Sequence, residues 1–347
     1  MIGIKRKTLT ISILGFGALL LGATFTPVRA DILGELERVV LEGNRVVANR
    51  TDPPANSCQN QMPPPPTQPS VDPAAAIQAI TCLTTQYPAC SNYSWKKRGR
   101  APRGFIEGIL LVYARSVCEP NRADVLAVSN SKRGDKKKDA LTAYDAQFAK
   151  LPQANLINRN TANRPGESGV STLRKVYTLL MGLGMMESAG IPNVGRHMAD
   201  PFSSADSAEA GLFQASWGAS QTSETLPPLL ETYQKSPGPQ CFFETFNQGV
   251  DSAIKTGGHS AAVVEGWRKN WGAESDSGFQ WQKLTKECPA FAVEYAAVLL
   301  RSHGGSKGEF NPLRKKQVEV NPDCFGLLGQ VESLLRSQPE LCQGLGR

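Results

Sequence analysis

Residues 173–188 read LRKVYTLLMGLGMMES, and this stretch decides the fold class that we expect for the chain. Its apolar residues recur at the spacing that places side chains on one face of an α-helix; they are Leu173, Val176, Tyr177, Leu180, Leu183 and Gly184. The pattern predicts a helix that ends in Glu187. Because Glu187 follows Leu183 and Leu180 at this spacing, its carboxyl is expected on the apolar face, away from Arg174 and Lys175.

A carboxyl on a buried helix face has a distinctive acid chemistry. Burial disfavours the charged form, so the pKa of Glu187 should rise until the group is protonated near neutral pH. A protonated carboxylic acid can donate to the leaving oxygen of a glycosidic bond, which accelerates cleavage by roughly a hundred- to ten-thousand-fold. A structural alternative remains open, in which Glu187 turns outward to solvent or pairs with an arginine.

A second segment follows this helix after a polar loop. It consists of Gly211, Leu212, Phe213 and Gln214, and we name it the GLFQ turn. A helix ending in Glu-Ser, a loop and then Gly-Leu-Met/Phe-Gln resembles the lysozyme-like superfamily, in particular its soluble lytic transglycosylases and goose-type lysozymes. The resemblance covers residues 173–217. It implies that Glu187 is the catalytic acid, that the Ser188 hydroxyl steadies the Glu187 carboxyl, and that the GLFQ turn lines a sugar-binding groove. It also implies that the loop at 191–210 forms the wall of that groove opposite the catalytic helix.

The chain departs from that pattern in ways that leave the mechanism open. The loop at 191–210 is long and contains Asp200 and Asp206, either of which could activate water as the second carboxylate of an inverting hydrolase. Both aspartates also have ordinary turn-forming neighbours, which is the structural alternative. A lytic transglycosylase instead uses one glutamate twice, first as acid and then as base on the muramyl 6-hydroxyl. The resemblance implies this dual role for Glu187.

Aromatic side chains offer further candidates for the groove, because sugar rings pack on aromatic faces. Trp217 lies just past Gln214 and is the candidate that we favour. Tyr295, on a later helix, could reach toward Glu187, since many transglycosylases have a tyrosine near the acid. For most of the other aromatic residues we expect burial in the core.

The amino-terminal residues predict export. Basic residues at positions 5–7 precede an apolar run at 9–25, and Val28-Arg29-Ala30 ends in the small residue expected before a cleavage point. Residues 1–30 are therefore expected to be a signal peptide, with an uncleaved anchor as the alternative. We expect a periplasmic or secreted protein with no stable membrane span after cleavage. Residues 31–73 combine a short amphipathic segment with a Pro-rich tether.

The cysteines indicate disulfides rather than a metal site. There are eight: Cys58, Cys82, Cys90, Cys118, Cys241, Cys288, Cys324 and Cys342. No C-x-x-C pair or H-E-x-x-H motif occurs and the chain has only three histidines, so we expect neither a metal nor another cofactor. The pairing cannot be read from the sequence, although Cys82 with Cys90 and Cys324 with Cys342 would close short loops.

The charge argues against nucleic-acid binding. The formal net charge of +7 falls to +3 when Lys5, Arg6, Lys7 and Arg29 leave with the signal peptide, whereas nucleic-acid binding requires a concentrated basic face. Two basic runs stand out, at residues 96–103 and 132–138. They could hold an anionic wall polymer or lipopolysaccharide, although solvated loops explain them more simply.

Helical periodicity with almost no clean strand pattern predicts a mainly α-helical, disulfide-stabilised domain over residues 74–347. The resemblance implies that this domain is lysozyme-like, with a substrate groove and a core at 171–302. The predicted helices are 75–84, 105–118, 141–148, 173–187, 226–233, 241–255, 261–267, 291–301 and 325–335. We expect a monomer.

Other enzyme classes find little support, since no nucleophile elbow, dinucleotide loop or Walker motif is complete. We therefore expect an enzyme that acts on peptidoglycan glycan strands and cleaves the MurNAc-β-1,4-GlcNAc bond, with lytic transglycosylase slightly ahead of hydrolase. The alternatives are an inverting muramidase or chitinase-like hydrolase, and a cell-wall-binding protein that keeps the fold without turnover.

Overall fold

A computed structural model describes residues 72–130, 134–151, 165–195, 204–236, 240–250, 266, 269–272 and 277–346. The α-helices are α1 (Pro73–Thr81), α2 (Leu83–Gln86), α3 (Pro88–Ser91), α4 (Arg103–Cys118), α5 (Ala123–Ser129), α6 (Ala140–Ala143), α7 (Asp145–Phe148), α8 (Pro165–Ser188), α9 (Leu226–Lys235), α10 (Phe243–Phe246), α11 (Ser277–Glu287), α12 (Pro289–Ser302), α13 (Asn311–Arg314) and α14 (Pro322–Ser337). Short 3₁₀ helices lie at Gly218–Thr222 and Pro339–Leu345, and β1 (Ser94–Trp95) pairs antiparallel with β2 (Gly99–Arg100). The prediction of a mainly helical chain is confirmed.

Helix α4 lies at the centre of the core. Every residue from Gly104 to Ser116 is buried, and α8, α12 and α14 all pack against this helix. A helix enclosed on all sides needs small residues where its neighbours come closest. A Cβ on Gly108 would lie 2.5 Å from the ring of Phe246, so glycine lets α10 pack directly on the α4 backbone.

Charged side chains inside the core are paired. Arg115 of α4 and Arg122 both bind Glu294 of α12, at N–O distances of 2.7 and 2.6 Å. Tyr233 of α9 donates to the same carboxylate at 2.8 Å. Buried ion pairs of this kind are tolerated only when hydrogen bonds satisfy the charges. The Glu294 network thus joins α4, α9 and α12.

The expectation that Arg174 lies away from the core is wrong. Arg174 is 4% exposed, and its guanidinium makes two hydrogen bonds to the Glu332 carboxylate of α14. Tyr113 of α4 donates to that carboxylate at 2.5 Å. The arginine can be buried because a bidentate partner 158 residues away compensates its charge, and periodicity along one helix gives no sign of such a partner.

Three disulfides join distant parts of the chain. They are Cys90–Cys324, Cys118–Cys342 and Cys241–Cys288, with sequence separations of 234, 224 and 47 residues. The prediction of a disulfide-stabilised domain is confirmed, and each bridge should stabilise it by about 2 to 4 kcal/mol. The two short-loop pairings are wrong, because Cys90 and Cys324 bond to each other and Cys342 bonds to Cys118. Cys82 is disulfide-bonded as well.

Four helices have no counterpart among the predicted ones: α3, α5, α11 and α13. Helices α3 and α13 are only 4 residues long each. Helix α5 is only 7 residues long, and α11 is polar over most of its length, so neither has a strong apolar period. Within the described part of the predicted helix at 241–255, α10 and Val250 are helical.

Some predictions fall outside the described residues. They concern the signal peptide at 1–30, the tether except for its last residues, Cys58, Asp200 and most of the predicted helix at 261–267. Within the described ranges, no helix combines the length and the apolar character that a membrane crossing requires.

Candidate active site at the end of helix α8

Helix α8 carries Glu187 at its carboxyl end and stops directly afterwards. Ala189 and Gly190 have φ angles of 53° and 76°, and the Gly190 N–H donates to the Gly184 carbonyl at 3.2 Å, a bond that closes the helix end. Glycine is needed at 190, since a Cβ there would lie 2.9 Å from the ring of Phe105. This sharp turn leaves the Glu187 side chain at the border between the core and solvent, where it is partly exposed.

Ser188 has a different role from the one that the resemblance implied. Its hydroxyl is buried and donates to the carbonyl oxygens of Gly184 at 3.0 Å and Leu212 at 2.8 Å. A hydroxyl carries a single proton, which these carbonyls share, so none remains for the Glu187 carboxyl. Ser188 instead ties the end of α8 to the GLFQ turn, which brings the two halves of the sequence motif into contact.

The GLFQ turn is a tight backbone turn. The Gly211 N–H donates to the Val194 carbonyl at 2.8 Å, and the Ala210 N–H donates to the Ala215 carbonyl at 2.9 Å. Gly211 has φ of 72°, and a Cβ on it would lie 2.4 Å from the Thr285 methyl group of α11. Gln214 has φ of 46°, which is unfavourable for a residue with a side chain, and its amide donates to the Gly211 carbonyl at 2.8 Å. Such strain is often found at functional sites.

The side chains of Leu212 and Phe213 belong to the core. They are 0% and 2% exposed, and Phe213 lies beside Gly184 of α8. The expectation that these two side chains line a groove is therefore wrong; they anchor the turn from beneath. Leu and Phe satisfy the motif because they fill space between α8 and the turn, and only the backbone and Gln214, which is partly exposed, could contact a ligand.

The Glu187 carboxyl has the protonation behaviour of a general acid. Burial raises its pKa to about 8, and the negative charges of Glu209 and Glu309 add to the rise, while Arg98 and Arg314 oppose it. Among the described residues, none donates a hydrogen bond to this carboxyl. A group with this pKa is mostly protonated at neutral pH and retains a proton that it can donate.

The second carboxylate near Glu187 is one that sequence reasoning missed. Glu209 is exposed in the loop just before the GLFQ turn, and of the neighbouring charges it raises the pKa of Glu187 the most. Asp206 lies instead against the first turn of α11, where a Cβ on Gly278 would come within 2.2 Å of Asp206 Oδ1. Anions are favoured at that end of a helix, which gives Asp206 a structural role. Nothing in the loop sequence distinguishes Glu209 from Asp206, because the difference depends on packing against α11.

Glu309 joins the site from the far end of the chain. Its carboxylate accepts hydrogen bonds from the Ser216 N–H at 3.1 Å and the Ser216 hydroxyl at 2.7 Å, next to the GLFQ turn. Tyr295 is buried and donates to the Ser216 carbonyl at 2.9 Å. Among the described residues, the Tyr295 hydroxyl thus contacts Ser216. This bond links α12 to the segment just after the GLFQ turn and supports it. Burial and the charge of Glu309 raise the pKa of Tyr295, so its hydroxyl keeps its proton.

Trp217 follows this segment at the start of the 3₁₀ helix Gly218–Thr222. Its indole is partly buried and packs against the core while part of it remains exposed. This position suits an aromatic platform beside the GLFQ turn, as the sequence predicted, and the structure leaves that role as a prediction.

Two arginines contribute the positive charge near Glu187. Arg98, from the hairpin between β1 and β2, is 7% exposed and donates to the Met186 carbonyl at 2.6 Å. Arg314, on α13, donates to the carbonyls of Gly308 and Glu309, both at 2.6 Å. Both arginines favour the ionised form of Glu187. They were not predicted as site residues, since they lie about 90 and 130 positions from the motif.

Two arginines and two carboxylates act on the Glu187 carboxyl; they are Arg98, Arg314, Glu209 and Glu309. The described residues of the site do not form a metal centre. In the described part of the chain, no group of three or more His, Cys, Asp or Glu side chains is arranged to hold a metal ion. No family model, no curated protein and no solved structure matches this chain.

Proposed function

We propose that this protein cleaves the β-1,4 bond between N-acetylmuramic acid and N-acetylglucosamine in peptidoglycan, as an exported lytic transglycosylase of the lysozyme-like kind. The observation that carries the proposal is the Glu187 carboxyl, which is partly exposed, has a pKa of about 8 and is held beside the GLFQ turn by the Ser188 bond to Leu212. The order of helix, Glu-Ser and GLFQ in the sequence supports the same assignment.

The first step uses Glu187 as an acid. Its carboxyl is protonated at neutral pH and donates that proton to the glycosidic oxygen, while the bond between this oxygen and the muramyl C1 breaks. Positive charge develops on the sugar ring as the carboxylate forms. Arg98 and Arg314, which favour the ionised form of Glu187, stabilise the carboxylate at this point.

The second step uses the same residue as a base. The Glu187 carboxylate removes the proton of the muramyl 6-hydroxyl, whose oxygen bonds to C1 of the same sugar. The product is a 1,6-anhydromuramyl end, and Glu187 regains its proton for the next cycle. No second protein carboxylate is needed, which agrees with the structural position of Asp206 against α11.

A hydrolytic outcome is the second candidate, and Glu209 is the observation that favours it. Glu209 is exposed and electrostatically coupled to Glu187, so it could activate a water on the far side of the sugar. The products would then have reducing muramyl ends.

Export of the enzyme is part of the proposal. Disulfides persist in oxidising compartments such as the periplasm and the extracellular space, and three of them join the described segments. Peptidoglycan lies in the same compartments.

The test is mass spectrometry of purified peptidoglycan sacculi after incubation with the protein and with its Glu187→Gln variant. We expect anhydromuropeptides from the wild type and a loss of at least about a hundredfold in the variant. Glu244→Gln, which removes an exposed carboxylate from α10, is the matched control and should retain full activity.

Each other outcome identifies a different reaction. Reducing-end muropeptides that disappear in Glu209→Gln would show hydrolysis. Cleavage of chitin oligomers without cleavage of sacculi would assign a chitinase. A folded wild-type protein that sediments with sacculi but releases no fragment would overturn the enzymatic proposal and leave a wall-binding protein.

A further inference from the structure

A basic pocket of about 640 Å³ lies beside the end of α8 and outside the acid site. It opens between the hairpin of β1 and β2, the turn that follows α7, and residues 316–322. Its lining includes four lysines, namely Lys96, Lys97, Lys150 and Lys316. Glu319 is the one carboxylate among the lining residues, and Met186 of α8 forms part of the wall.

The lysine charges are available to a ligand. All four side chains are exposed, and none has an ion pair or a side-chain hydrogen bond with another described residue. Glu319 is already engaged, because its carboxylate accepts the Lys96 N–H at 2.7 Å and the Tyr93 hydroxyl at 3.3 Å. Four ammonium groups against one occupied carboxylate give the pocket a net positive charge, which favours an anion with more than one negative group.

The backbone at two of these lysines is strained. Lys97 and Lys316 have φ angles of 65° and 53°, in the left-handed region that favours glycine or asparagine. Lysine has no conformational advantage at either position. Both lysines line the same pocket, and strained residues are often found at ligand sites.

The pocket is fixed relative to the catalytic acid. Met186 lines it and directly precedes Glu187, so their Cα atoms are about 3.8 Å apart. Arg98 donates to the Met186 carbonyl at 2.6 Å, which attaches the hairpin carrying Lys96 and Lys97 to the end of α8. The pocket wall at Met186 and the acid at Glu187 are therefore adjacent positions of α8, so the pocket is within reach of a substituent on the sugar whose bond Glu187 is proposed to cleave.

We propose that this pocket binds the free carboxylates of the short peptide that muramic acid carries on its lactyl group. The assignment rests on the proposed peptidoglycan cleavage, because muramic acid is the sugar at the scissile bond and its peptide bears several carboxylates. Binding energy from such a remote group can be used to position the reacting sugar. The enzyme should therefore prefer strands that retain their peptides over strands from which an amidase has removed them.

Direct binding tests the pocket without catalysis. The probe is a synthetic Ala-γ-Glu-diaminopimelyl-Ala peptide with free carboxylates, measured by calorimetry on Glu187→Gln protein, alongside the same peptide with its carboxylates amidated. We expect Lys97→Gln/Lys316→Gln to weaken binding of the free peptide by about five- to tenfold at low salt. Lys136→Gln/Lys138→Gln removes the same charge from exposed residues of the other basic run and should leave the affinity within about twofold.

Three results would overturn the pocket assignment: no binding of the free peptide, equal binding of the amidated peptide, or equal weakening by both double variants. Tighter binding of a glycerol phosphate polymer than of the peptide would assign the pocket to an anionic wall polymer instead. Lys97→Arg/Lys316→Arg keeps the charge and should restore binding, which separates a loss of charge from a loss of folding.

Cleavage distinguishes failure of the pocket from failure of the proposed function. The lysine double variant should lose the preference for peptide-bearing strands. Unchanged preference in that variant, with cleavage still dependent on Glu187, would overturn the pocket and leave the transglycosylase. Absence of cleavage of both kinds of strand by the wild type would overturn the function, while the calorimetric result would stand by itself.

Discussion

Helix α8 contacts a buried carboxylate of a neighbouring helix and carries a second, partly exposed one at its end, and the two have opposite surroundings. Glu332 is 6% exposed and accepts hydrogen bonds from Arg174 and Tyr113. Glu187 has no hydrogen-bond donor among the described residues, and burial raises its pKa to about 8. Hydrogen bonds from Arg174 and Tyr113 compensate the buried Glu332 carboxylate, whereas burial without such a donor raises the pKa of Glu187. The first arrangement joins α8 to α4 and α14, and the second is the one on which the proposed acid role rests.

Removal of the partner of Glu332 should have the largest effect on folding. Arg174→Met leaves a buried carboxylate with only the Tyr113 hydroxyl, and we expect a loss of about 3 to 5 kcal/mol in the free energy of unfolding. Urea denaturation measures it. The double variant Arg174→Met/Glu332→Leu removes both charges and should recover most of the loss. A double variant as unstable as the single one would show that packing, and not the unpaired charge, is responsible.

Glu187 should lower the stability of the folded protein where it is ionised, so its replacement should stabilise the protein at higher pH. Its pKa is about 8 in the folded protein and near its ordinary value of 4.5 in the unfolded chain, so the folded state binds more protons between these values. Wild-type stability should therefore fall as the pH rises from about 4.5 to about 8, by up to about 1.4 kcal/mol per pH unit from this group. The Glu187→Gln variant has no ionisable group at this position, so its stability should not decrease with pH in this way.

The measurement compares the unfolding free energy of Glu187→Gln with that of the wild type at pH 5, 6.5 and 8. The advantage of the variant should grow with pH, whereas Glu244→Gln should show no such trend. A difference that is constant with pH would mean that Glu187 ionises normally and would remove the physical basis for an acid role.

The bond between α8 and the GLFQ turn predicts an intermediate effect. Ser188→Ala removes the hydroxyl that donates to Leu212, and we expect a loss of about 1 kcal/mol in stability together with slower cleavage. Ser236→Ala removes a hydroxyl bonded to the Thr232 carbonyl at the exposed end of α9 and is the control. Full activity in Ser188→Ala would show that the turn holds its place without this bond.

The smallest expected effect concerns Glu209. Its negative charge raises the pKa of Glu187, so Glu209→Gln should shift the alkaline limb of the pH profile of kcat/KM to lower pH with little change in the maximum. Asp206→Asn provides the comparison, since it changes an acid of the same loop that lies against α11. A loss of about a hundredfold or more at all pH values in Glu209→Gln would favour the hydrolytic mechanism.

The sequence predicted the features that depend on local periodicity. The course of α8 from Leu173 onward and the partly buried position of its acid follow from apolar residues at helical spacing between Leu173 and Gly184. The motif singled out Ser188 and the GLFQ turn, but the bond that joins them, from the Ser188 hydroxyl to the Leu212 carbonyl, was not predicted.

The predictions that were wrong or missing concern contacts between residues far apart in the sequence. Arg174 is buried because Glu332 lies opposite it, and Leu212 and Phe213 are buried because α8 covers the turn. Arg98, Glu309 and Arg314 reach Glu187 from elements far away in the chain. The disulfides span more than 200 residues in two cases, and no spacing rule identifies such pairs.

Two of these disulfides should keep the protein in one piece after a single proteolytic cut. Cys90–Cys324 and Cys118–Cys342 fasten the first described helices to the last ones, so every residue from 119 to 323, including Glu187, lies inside a covalent ring. A single nick in that stretch opens the ring but separates nothing. The nicked protein should run as one species on a non-reducing gel and as two fragments after reduction.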